Sequence, residues 1–106
     1  MIDFKRMSFL KRAIATAGKE YQRNPNECTK VLYDAFLENY GTEYDRLKAE
    51  LAEQMHLIHD IKTATVMRYC YLDGMTTPEI AEKYFYSDRH IRRILAEGKR
   101  IINKAP

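Results

Sequence analysis

The chain has 106 residues; 45% are apolar, none is Trp, and only three are Pro and four Gly. That is room for one small core, or a small domain with a helical arm, and few breakers beside many Lys, Glu, Ala and Leu favour helix. The net charge of +3 is too mild to define a partner, and no apolar run approaches the ~18 residues that a membrane span needs.

The N-terminus is basic but has no apolar stretch or small-residue cleavage site, so no secretion signal is read there. Cys28 and Cys70 are isolated and lack metal-type spacing. Both fall at apolar helical positions, so the expectation is two buried free thiols in a reducing cytoplasm. Charge is unevenly spread. Residues 1–25 hold six Lys/Arg against two Asp/Glu, residues 26–60 three against eight, and residues 61–106 nine against five. An acidic middle between two basic ends suggests divided labour, with the basic C-terminal segment suited to phosphates.

The first helix is expected over about residues 3–22, with Met7, Leu10, Ile14, Ala17 and Tyr21 on one stripe. Asn24-Pro25-Asn26 breaks it. A second helix is expected over about 27–39 on the stripe Cys28, Val31, Leu32, Ala35, Phe36 and Asn39, with Gly41 as its C-terminal cap. A third starts at Thr42, which has capping-box spacing to Asp45. Its stripe is Tyr44, Leu47, Leu51, Met55 and Ile58, spaced as in a coiled coil. That stripe fits packing within the chain or a dimer face with a second copy equally well. A fourth helix covers about 61–72 and ends at Asp73-Gly74. Nothing between His59 and Lys62 reads as a clean break from the third.

The fifth helix starts at Thr76, where Thr76-Thr77-Pro78-Glu79 joins a capping box to a first-turn Pro. Its inward residues are Ile80, Ala81 and Tyr84. Phe85-Tyr86 forms a turn. Ser87 caps a sixth helix that runs to about Asn103, with Asp88 in the first turn, where the helix dipole favours an anion. Two capped helices, a short loop and the core set Ile80, Ala81, Tyr84, Ile91 and Ile94 make a helix-turn-helix, which presents its second helix to the major groove. The expected fold is therefore all-α: a helical N-terminal bundle or arm over residues 1–60, then a helix-turn-helix domain over residues 61–106.

On the sixth helix the inward face is Ile91, Ile94, Leu95, Gly98, Ile101 and Ile102, and the outward face is basic. Asp88, Arg89, Arg92, Arg93 and Ala96 are placed to meet base edges; an arginine reads guanine through two hydrogen bonds, worth ~1–3 kcal/mol of discrimination. Lys99, Arg100 and Lys104 further along, with Thr76, Tyr86 and Ser87 at the turns, are the expected phosphate contacts, which add affinity without sequence information.

These residues carry a resemblance. Arg68-Tyr69, Gly74, Thr76, Glu79-Ile80-Ala81, Ser87 and Ile91-Arg92-Arg93-Ile94 resemble region four of bacterial sigma factors. The whole chain is similar to the small phage transcription regulators of the RinA and ArpU type, which join a helical N-terminal part to such a module. The close match covers about residues 61–103. The resemblance implies sequence-specific binding to double-stranded DNA and a phage or prophage regulator. Two positions depart from the family pattern: Phe85 stands where Gly is frequent, and Arg89 where Glu often helps to read the promoter. The family's base preference therefore does not transfer. No segment resembles the other promoter-binding regions of a complete sigma factor.

Two other functions fit the same organisation. One is a DNA-packaging adaptor like a small terminase subunit. The other is an interaction module that contacts RNA polymerase without touching DNA. An enzyme is not expected, since the chain has no Gly-rich phosphate loop, no nucleophile with an ordered base and no paired carboxylates. His56-x-x-His59 with Glu53 lacks the further ligands a metal needs, so no metal or other cofactor is expected. His90 is read as solvated.

Overall fold

A computed structural model describes residues 1–104. They are helical throughout their regular structure, with no strand among the described residues. The chain divides into two compact units: residues 3–49, and residues 1–2 together with 50–106. The boundary expected at residue 60 is thus moved to residue 49. The reason is visible in Leu51 and Ile58, which are buried at 0% and 6% exposure.

Residues 3–49 form a helical hairpin. Helix α1 (Phe4–Arg23) is capped by Asp3, whose side chain accepts from the Arg6 N–H. Met7, Leu10 and Ala17 are buried, so the expected stripe is the inward one. Asn24, Pro25 and Asn26 end the helix. Asn26 then starts helix α2 (Glu27–Phe36) with a capping box to Thr29. The returning helix faces α1 with aromatic rings: Tyr33 lies 6.0 Å from Tyr21, and Tyr40 lies 5.8 Å from Phe9 and 5.5 Å from Phe36. Arg6 closes the far end on Glu43 through two charge-assisted hydrogen bonds of 2.8 and 2.9 Å. Low numbers pair with high ones throughout, so the two arms are antiparallel.

This arrangement corrects four expectations. The inward face of α2 is Tyr33 and Phe36, and the stripe on Cys28, Val31 and Leu32 is exposed. Cys28 is therefore an exposed thiol, and only Cys70 is half-buried. Nor does Gly41 end the second helix. The backbone passes through a wider π-helical turn (Leu37–Gly41) straight into α3 (Thr42–Gln54). Thr42 has helical φ and ψ, so it is not a cap. The wider turn keeps Tyr40 against α1, and that tertiary contact outweighs the local stop signal.

The second unit is built on α4 (Ile61–Met67), α5 (Thr77–Tyr84) and α6 (Asp88–Lys104). Helix α3 ends at Gln54. A 3-10 turn (Met55–Leu57) and extended Ile58 follow before Asp60 caps α4 by accepting from the Thr63 N–H and hydroxyl. The third and fourth helices are therefore separate, against expectation, because Asp60 supplies a strong N-cap. The stripe that suited intrachain packing and a dimer face equally is largely covered within the single chain. Leu47, Leu51 and Ile58 are buried within the single chain, and Tyr44 and Met55 are half-buried.

The core of this unit is Val66 and Met67 from α4, Ile80 and Ala81 from α5, and Ile91, Leu95 and Ile102 from α6. Each large side chain fully removed from water contributes about 1.5–3 kcal/mol. Gly98 of α6 allows a close approach: a Cβ there would lie 2.6 Å from both Cγ and Sδ of Met67. Ile2 joins this unit from the other end of the sequence. Its N–H donates to Asn103 Oδ1 at 2.9 Å, and its carbonyl accepts from Asn103 Nδ2 at 3.1 Å.

Candidate nucleic-acid interface

The interface is assembled from the local chemistry of α5, the turn and α6. Thr76 starts α5. Its hydroxyl accepts from the Glu79 N–H, and the Glu79 carboxylate accepts from the Thr76 N–H and hydroxyl. Pro78 lies in the first turn, where its missing N–H costs nothing. The helix ends at Phe85, held in the left-handed region at φ 58° and ψ 37°. There the Tyr86 N–H returns to the Ala81 carbonyl at 2.9 Å, the bond pattern of a Schellman C-cap. Ser87 then receives the His90 N–H at 3.1 Å and opens α6. Both caps fall where the sequence placed them.

The five residues expected in the helix-pair core come together. Ile80, Ala81 and Ile91 are buried, and Tyr84 and Ile94 are half-buried. With Ile91, Leu95, Gly98 and Ile102 facing inward, three- and four-residue steps put Arg89, Arg93, Ala96 and Arg100 in one outward row. All four are exposed, and exposed Arg92 lies to one side of them. Asp88 and Lys99 are half-buried on that side, and Lys104 is exposed.

The cations are not equivalent. Arg100 pairs with Glu97, which lies one turn back on the same helix. Arg100 holds the Glu97 carboxyl below its ordinary range through this hydrogen bond, so part of its charge is already answered within the protein. Arg6 and Arg23 are likewise paired, with Glu43 and Glu20. Arg89, Arg92 and Arg93 have no carboxylate within ion-pair distance among the described residues. Three neighbouring guanidinium groups thus face water with their donors open.

An aromatic row flanks the start of α6. Tyr69, Tyr84, Tyr86 and His90 follow at ring separations of 6.1, 6.1 and 4.6 Å. Burial, then the neighbouring Tyr69, holds the Tyr84 hydroxyl above its ordinary range. Lys83 lies over the Tyr69 ring at 4.6 Å, and Lys62 over the Tyr86 ring at 4.3 Å. Lys62 Nζ also donates to His90 Nε2 at 3.2 Å. Sequence reasoning missed Lys62, because α4 and the start of α6 meet only through the fold; the local signal is no more than one lysine in a first turn.

His56 Nδ1 donates to the Glu53 carbonyl at 2.8 Å. Among the described residues, no three His, Cys, Asp or Glu side chains gather as metal ligands. No helix of the described residues is long and apolar enough to cross a membrane. Compared with protein-family models, curated proteins and solved structures, the chain matches none.

Proposed function

We propose that the protein binds double-stranded DNA by presenting α6 to the major groove, and that it serves as a transcriptional regulator of the phage type. The observation that carries this reading is the cluster of unpaired arginines, Arg89, Arg92 and Arg93, on the exposed side of a helix whose other face anchors a small core. Charge left open at the N-terminal end of the second helix of such a pair matches the chemistry of base edges and phosphates. The resemblance of residues 61–103 to sigma region four supports the same role.

In this reading Arg89 and Arg93, with Ala96 between the turns, face the groove floor, and Arg92 and Asp88 border it. Lys99 and Lys104 take phosphates, and Arg100 does so while sharing its charge with Glu97. The test is a salt titration of binding to random-sequence duplex and to duplex from around the protein's own gene. The expected result is affinity that falls steeply with salt on both, at about 0.9 in logarithmic slope per phosphate contact, and is tighter on the second duplex. Replacing Arg89, Arg92 and Arg93 by Ala together is expected to weaken binding by about a hundred-fold or more, at ~1–3 kcal/mol per base-reading pair. Absence of binding at low salt to either duplex would overturn the reading. Ring-shaped oligomers in solution would favour the packaging adaptor, and monomers or dimers the regulator.

A further inference from the structure

Lys62 stands outside the helix pair, in the first turn of α4. A lysine on a surface helix ordinarily swings through many rotamers, and fixing it costs entropy. Here two groups hold the ammonium: the Tyr86 ring face, with its centroid 4.3 Å away, and His90 Nε2 at 3.2 Å. Both holders meet edge to face, at 4.6 Å between ring centroids.

Neither holder cancels the charge. The ring attracts a cation through its quadrupole, and the imidazole nitrogen accepts the ammonium's hydrogen bond without supplying a negative charge. Lys62 has no ion pair among the described residues. Asp60, the carboxylate nearest in sequence, is engaged by the N–H and hydroxyl of Thr63 and feels the Lys62 charge only through space, without an ion pair. His90 precedes Arg93 by three residues, so the two share one side of α6. The fold therefore fixes an open positive charge beside the arginine row.

We infer that Lys62, held by Tyr86 and His90, is a phosphate clamp: it takes a backbone phosphate of the duplex at the edge of the groove that α6 enters. The inference rests on the DNA reading above. It also gives Tyr86 a specific role, as a ring that positions a cation rather than a hydroxyl that meets the phosphate.

The experiment measures binding of random-sequence duplex against salt for the wild type and for Lys62→Gln, Tyr86→Phe and Tyr86→Leu. Thermal melts confirm that each is folded; Lys62 is exposed, so its replacement leaves the core intact. Lys62→Gln is expected to reduce the logarithmic salt slope by about 0.9, the signature of one lost phosphate contact. Tyr86→Phe keeps the ring and is expected to bind as the wild type does. Tyr86→Leu removes the ring but no charge; it is expected to weaken binding by about two- to five-fold, the worth of an exposed cation–π contact, with the slope retained. An unchanged slope in Lys62→Gln overturns the clamp while the DNA reading stands. A loss in Tyr86→Phe equal to that in Tyr86→Leu assigns the contact to the hydroxyl and overturns the positioning role. A wild type that binds no duplex at low salt overturns both readings together.

Discussion

Phe85 shows how much one residue can concede to its neighbours. It adopts φ 58° with its side chain 95% exposed. The left-handed region costs a residue with a Cβ about 1–2 kcal/mol, and an exposed ring recovers none of that through burial. Glycine would remove the strain, although its greater freedom in the unfolded chain returns about 0.4–1 kcal/mol. Phe85→Gly is therefore expected to stabilise the protein by up to about 1 kcal/mol, seen as a higher urea midpoint at unchanged m-value. A lower midpoint would mean that the ring makes a stabilising contact. The caps on either side were legible from local residue order. Thr76 and Ser87 act on groups three residues away, and such short-range chemistry is written in the sequence. Asp60 was equally local, with Thr63 at the matching spacing, and its signal could have been read as a helix start. The Lys62 contacts were not legible, because they join it to Tyr86 and to His90, the latter 28 residues away in the chain.

Between elements, α4 and α6 approach closely at Gly98. An added Cβ would meet Met67 Cγ and Sδ, and Met67 is itself at 0% exposure, so it has no open space to turn into. Gly98→Ala raises helix propensity by up to about 1 kcal/mol, against about 1–3 kcal/mol for overpacking a filled core. A net loss of about 1–2 kcal/mol is expected, read as a lower melting temperature. The clash is the cause only if Gly98→Ala combined with Met67→Ala recovers more than the two single changes predict by addition. The inward face of α6 was legible as a run of apolar residues at helical steps. The face of α2 was not. It carries two competing stripes, aliphatic and aromatic, and packing on α1 selected Tyr33 and Phe36 while leaving Val31 and Leu32 in solvent. Periodicity identifies a stripe but cannot rank two of them without the partner helix.

Across the whole molecule, acid sensitivity follows from three carboxylates, one of them the Glu97 that Arg100 holds down. The Arg6 hydrogen bonds hold Glu43 below the ordinary range, and the Thr63 hydroxyl and N–H do the same for Asp60. A depressed folded-state pKa contributes stability that is complete above the unfolded value and is lost as pH falls towards the folded one. The melting temperature is therefore expected to drop between about pH 7 and about pH 3, and the drop should shrink in Glu43→Gln combined with Asp60→Asn and Glu97→Gln. An undiminished drop would place the acid sensitivity elsewhere. The chain's helical class was legible from its breakers and periodicity, but its division at residue 49 was not, because α3 continues unbroken across it. The pairing of Ile2 with Asn103 has one more consequence, in time rather than in space. The aromatic and ionic contacts named for the hairpin are all available once residue 49 has left the ribosome. The backbone groups of Ile2 wait longer for their partner, since Asn103 is made 101 residues later. During synthesis the nascent chain must carry Ile2 unpaired with Asn103 until α6 emerges.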